Sequence, residues 1–171
     1  MKLITVNTKT SIKKSEKGFT LIELLVVIGI LAILMGIVLI AINPAAQFAQ
    51  ANNTSRTNSV SQILNAIGQF EADNHGNLPA GMTVGMAATA IKSGNAGNAG
   101  DICAAIMPAY IASLPADPAI DNGSGKGAPI TSCATYNTGF TVAVDNNGRV
   151  TVTAPNPEAV RGVTPQISVQ R

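Results

Sequence analysis

The chain has no tryptophan, two tyrosines, four phenylalanines and one histidine, His75, in 171 residues. Few aromatics means little of the side-chain area from which tight recognition hot spots are usually built. No Ser or Cys nucleophile stands at a recognisable spacing from His75, so no general-base arrangement is visible and His75 reads as a turn residue. Cysteine is almost as scarce. Cys103 and Cys133 have neither a CxxC pair nor a neighbouring histidine, which excludes zinc-type ligand spacing. In an oxidising compartment the two are expected to form a disulfide; a pair of buried thiols is the alternative. Charged residues make up only 12% and are unevenly placed. Residues 1–18 hold five lysines and one acid, and the remainder holds six basic and eight acidic side chains. The remainder therefore has no basic surplus with which to grip a polyanion, and nucleic-acid binding is not indicated.

What the sequence does have is one long apolar run. Leu24 to Ile42 gives 19 residues without a charge. As a helix rising about 1.5 Å per residue, such a run spans nearly the ~30 Å hydrocarbon core of a bilayer. Gly29 and Gly36 soften it without breaking it in lipid. Lysines before the run and none just after Ile42 put the N-terminus in the cytoplasm and the rest of the chain outside. A secretory signal cut near Ala46, or after Ala49-Gln50-Ala51, is one reading, although the run is longer than such segments usually are. An uncut single-span anchor carrying an extracytoplasmic binding protein is another. Neither explains Glu23, a carboxylate at the start of the run, where an unpaired charge is disfavoured by a few kcal/mol. A tethered or secreted enzyme is a further class, but no nucleophile, base or metal set is visible for it.

The stretch Lys17-Gly18-Phe19-Thr20-Leu21-Ile22-Glu23-Leu24-Leu25 resembles the processing motif of type IV pilins and type II secretion pseudopilins. A basic leader, a glycine, an aromatic, an acid and an uninterrupted apolar helix occur in that order. The resemblance implies that a prepilin peptidase cuts after Gly18 and that the new N-terminus, Phe19, is methylated, so the apolar helix is kept. Gly18 offers a backbone free to enter a tight site. Glu23 would gain its partner on assembly, the terminal amine of Phe19 in a neighbouring copy, and a pair shielded from water is far stronger than one at a surface. The likeness is closest from Lys17 to about Pro79. It departs from the common pattern at Pro44, which lies just beyond the apolar run and is expected to kink or loosen the helix at Ile42-Asn43-Pro44.

Beyond Pro44, Val60, Ile63, Leu64, Ile67 and Phe70 fall on one face of a helix, which Phe48 extends, and which reads as packing on its own domain. Asp73-Asn74-His75-Gly76-Asn77-Leu78-Pro79 ends that helix. Residues 80–100 read as a loop with a short helical turn, and Asp101 to Tyr110 as a short helix holding Cys103. Two alternating segments, Tyr136–Val144 and Arg149–Thr153, flank the turn Asp145-Asn146-Asn147-Gly148 and predict a β-hairpin; Thr164 to Gln170 is a third strand. Asp121-Asn122-Gly123-Ser124-Gly125-Lys126-Gly127 has neither phosphate-loop spacing nor the acid ladder of an EF-hand, and a flexible turn suffices. Because some major pseudopilins bind calcium in a C-terminal loop, the resemblance makes Asp117 and Asp121 calcium candidates.

The expected fold is α+β: a long N-terminal helix, transmembrane in its first half, packed on a small antiparallel C-terminal sheet. Residues 1–18 are a cytoplasmic leader, 19–43 the transmembrane and assembly segment, and 44–171 the extracytoplasmic pilin-like domain. The expected role is structural. A single-pass inner-membrane precursor is processed by the peptidase, handed to an assembly platform, and built with identical or related subunits into a helical filament. If Gly18 is the cut site, Gly18→Leu blocks processing. An immunoblot then shows only full-length precursor, and abundant mature protein from this variant places the cut elsewhere.

Overall fold

A computed structural model describes residues 18–171; the expected leader lies outside the described residues apart from Gly18. The chain divides into two units between Ile42 and Asn43. In the first, helix α1 runs Leu21–Ile42, 22 residues that are apolar on every side, and none of them is buried. It is long and apolar enough to cross a membrane. A helix without a polar face is not the pattern of a helix lying on a soluble core.

The second unit opens with helix α2, Pro44–Asp73. Its start is sharper than the loosening that Ile42-Asn43-Pro44 predicts. Asn43 takes a left-handed conformation, φ 47° and ψ 78°, and its side chain accepts the Ala46 N–H at 3.4 Å. The residue before a proline is pushed out of the α region, and Asn tolerates the left-handed one. Pro44 takes the first helical position, where no N–H is needed. Helical bonding therefore stops at Ile42 and restarts. At the far end, the Asn74 N–H returns to the Phe70 carbonyl and the Gly76 N–H to that of Glu71. His75 and Gly76 there have φ 58° and 83°, so the lone histidine is an exposed turn residue.

Four strands follow: β1 Thr89–Lys92, β2 Asn137–Val144, β3 Val150–Ala154 and β4 Ile167–Gln170. They form one antiparallel sheet in that order. In β2, Thr138, Phe140, Val142 and Val144 alternate inward; Val150 and Val152 do so in β3. The register sets Val142 opposite Val152 and Val144 opposite Val150. Helix α2 lies over β3 and β4, and its Val60, Ile63, Leu64 and Ile67 share one core with these strand residues and with Ile91, Ile102, Ile106 and Leu114. Each fully buried aliphatic or Phe side chain contributes roughly 1.5–3 kcal/mol relative to exposure.

Three expectations need correction. The stretch read as a loop contains β1, so the sheet has a fourth strand, although its short helical turn is present at Ala96–Asn98. The strand is four residues long, is bulged between Ala90 and Lys92, and has Ile91 as its one large buried side chain, too little to show a period of two. The helix holding Cys103, here α3, is only Cys103–Ile106. Phe48 does not extend the buried stripe: it is 71% exposed, while Ala46 and Ala49 turn inward.

Cys103 and Cys133 are joined in a disulfide that closes a 30-residue separation and ties α3 to the segment entering β2. A second tie lies beside it. The Tyr136 hydroxyl donates to Asp101 at 2.7 Å and accepts the Cys103 N–H at 3.3 Å. For a loop of this length, Cys133→Ser is expected to cost roughly 3–4 kcal/mol in the chain-entropy model. Denaturant unfolding of the purified chain with and without the substitution measures this.

Candidate functional site

Of the two calcium candidates, Asp121 is exposed and accepts the Gly123 N–H at 3.0 Å in a local turn. Asp117 is buried, and both its oxygens are engaged. Arg56 Nε donates to Oδ2 at 2.8 Å and Nη2 to Oδ1 at 3.0 Å, and the Ala119 N–H also reaches Oδ1 at 2.8 Å. Among the described residues, no group of three or more His, Cys, Asp or Glu is placed to hold a metal ion.

Arg56 is the largest fully buried side chain. Besides its two-pronged pairing with Asp117, it donates to Asn53 Oδ1 at 2.9 Å and to Glu158 Oε1 at 3.1 Å. Asn53 clasps the backbone of Glu158, accepting its N–H at 2.9 Å and donating to its carbonyl at 2.7 Å. The hydrogen bond from Arg56 to Asp117 raises the guanidinium pKa against the opposing effect of burial. This network fastens the connections on either side of the hairpin to α2. The sequence reading missed it because it followed apolar residues only. The inward positions Ala46, Ala49, Asn53, Arg56 and Val60 repeat at three and four, so the stripe runs on in polar residues.

At the other end, Gly18, Phe19 and Thr20 precede the first turn of α1. The Thr20 N–H and hydroxyl both donate to Glu23 Oε2 at 2.8 Å, and the Glu23 N–H donates back to Thr20 Oγ1 at 3.3 Å. This is a reciprocal capping box, in which each side chain satisfies an N–H that a helix start leaves free. The carboxylate also lies at the positive end of the helix dipole. Glu23 therefore already has a partner within its own helix, where the sequence alone suggests an acid left unpaired. The signal was present in Thr20-Leu21-Ile22-Glu23, the Thr-x-x-Glu pattern that opens a helix. The cap uses one oxygen, and Oε1 accepts no hydrogen bond from the described residues.

Phe19 is 90% exposed. A Cβ built on Gly18 meets no described residue within 4 Å.

The prokaryotic N-terminal methylation motif matches residues 13–39. No curated protein and no solved structure matches the chain significantly. The matched stretch contains Gly18, Phe19 and Glu23 and ends inside α1, short of the globular unit.

Because Asp117 is sealed from water by its partner, Arg56→Ala leaves an uncompensated buried carboxylate and should cost roughly 3–5 kcal/mol. Replacing both partners, Arg56→Met with Asp117→Leu, should cost less than the single change. Urea unfolding of the three proteins tests this, and a double variant worse than Arg56→Ala would contradict it.

Proposed function

On the premise that the chain carries the methylation motif that is the hallmark of type IV pilin and pseudopilin prepilins, we propose that it is a structural subunit of a pilus-like fibre. The observation that carries this reading is the pairing of that motif with a helix that is apolar except for Glu23 and has no buried residue. The reading covers both type IV pili and type II secretion fibres, whose subunits share this plan.

In this reading, residues 1–18 are removed by the prepilin peptidase at the cytoplasmic face of the inner membrane. Gly18, with no side chain, leaves the scissile backbone free to enter the peptidase site. The cut leaves the capping box intact, because the Thr20 N–H is an amide on both sides of the reaction. It creates a new ammonium on Phe19, which methylation keeps charged. Helix α1 first holds the precursor in the bilayer and then packs against α1 of neighbouring copies.

The free oxygen of Glu23 is where the ammonium of an adjacent copy would bind. In the apolar interior of a fibre, an ammonium and a carboxylate are each costly alone, and their pairing rewards one register between copies. The chain is thus a substrate of processing enzymes and has no catalytic role of its own.

Two substitutions separate capping from pairing. Glu23→Gln keeps a side chain that caps at this position but removes the charge; Glu23→Ala removes both. Both should be cleaved and methylated, and both should lower the yield of sheared fibres by about tenfold or more, given the cost of leaving an ammonium unpaired in an apolar interior. Normal fibres from Glu23→Gln would mean that the carboxylate acts only as a cap.

A further inference from the structure

Among the described residues from Asn43 onward, three large apolar side chains are exposed: Phe48, Val84 and Val163. Two of them adjoin charged groups of opposite sign at separate places along α2. Val84 lines a concavity with Glu71, Gly76, Leu78, Met82 and Gly148. Glu71 is half-buried, and its Oε1 is sealed from solvent with no hydrogen-bond partner among the described residues. A buried acceptor left without a donor is destabilising, so one that persists needs a reason. Arg171 does not supply the missing donor. Its guanidinium lies over Gly68, where a Cβ would collide with it, and the ion pairs among the described residues involve only Arg56 and Arg149. Burial pushes the Glu71 carboxyl up, opposed by the more distant charge of Arg171.

Val163 belongs to the tight turn Val160–Val163. The Val160 N–H donates to the Val163 carbonyl at 2.8 Å and the Val163 N–H to the Val160 carbonyl at 3.1 Å. Arg161 and Gly162 at its tip have φ 52° and 83°. Such a turn favours Asn or Gly at both central positions, so an arginine there is held at a conformational cost. Its side chain is exposed and enters no ion pair among the described residues. The other basic groups of the globular unit are less suited. Arg149 is taken by Asp145, and Lys126 sits on a glycine-flanked loop without an apolar neighbour of this size.

The turn borders Thr54 and Thr57 of α2, and the concavity borders Glu71. At 1.5 Å per residue, these places are about 20–25 Å apart along the helix. We propose that the Val160–Val163 turn of one copy docks in the Glu71 concavity of the next, with Arg161 pairing with the Glu71 carboxylate and Val163 covering Val84. The proposal rests on the fibre reading and adds to it a contact between globular units. The two surfaces differ and lie at different heights on one helix, so the contact is heterologous and propagates into a fibre rather than closing as a symmetric dimer. The arginine gives the half-buried carboxylate a counter-charge, and the two exposed valines leave water together.

The test uses the full chain in cells that carry the fibre machinery. Glu71→Arg and Arg161→Glu should each lower the yield of sheared fibres about tenfold, since they set like charges against each other. The swapped pair, E71R with R161E, should restore most of that yield. Glu71→Gln, which keeps the shape of the concavity, should give an intermediate loss. Val84→Cys combined with Val163→Cys should give an oxidation-dependent ladder of linked multimers, and neither change alone should. Wild-type yield from both single charge reversals, loss without rescue, or one dimer band in place of a ladder would overturn the contact. If the reversals assemble normally while Glu23→Gln does not, this contact is wrong and the fibre reading stands. If the unaltered chain forms no fibre, both fall together.

Discussion

An apolar helix that buries no residue in its own chain must find its non-aqueous surroundings elsewhere. Helix α1 presents Leu, Ile, Val and Met side chains on every face, and no residue in it is buried. In water that exposure would be prohibitive, at about 25 cal/mol for each Å² of apolar surface. A bilayer or a bundle of identical helices relieves it. The two environments are interchangeable for such a helix because lipid tails are as apolar as its side chains. In the proposed fibre reading, passage from one to the other therefore has to be steered by something other than hydrophobic burial. The candidate for that steering is the single charge that the helix carries.

The two oxygens of Glu23 differ. One closes a capping box with Thr20, which in the proposed reading makes the acid tolerable while a subunit waits in the membrane. The other remains available for a cation. At the opposite end of α1, Asn43 and Pro44 stop the helix and start α2 on its own cap, so the globular unit begins with its own hydrogen bonding complete. That unit is held by a different logic: a modest aliphatic core, a disulfide, and a buried guanidinium that fixes the connections around the hairpin.

Much of this was legible from residue order alone. The apolar run, the turn at Asp73–Pro79 and the hairpin around Asp145–Gly148 each carry a strong local signal, and the α+β arrangement followed from them. Most of what residue order leaves hidden turns on residues that are polar or small. Strand β1 hides among glycines and alanines with only Ile91 to mark it. Arg56 looks like a surface residue of a polar helix face, and nothing in the spacing of Asp117 or Glu158, 61 and 102 positions away, announces the pairing. The Thr20–Glu23 box is legible in residue order, as a Thr-x-x-Glu spacing at the start of an apolar run. Non-local pairing is a property of the fold, whereas caps and turns are properties of a few neighbouring residues.

The central claim is that the apolar helix is retained with a freshly exposed, methylated residue at its head. Intact-mass measurement of the protein purified from membranes or sheared fibres tests it directly. The account predicts a chain that begins at Phe19 and carries one added methyl group. A chain beginning near Ala46 or Asn52 would mean that α1 is cut away as a secretory signal, and an intact Met1 would mean a simple anchor; either result contradicts the account.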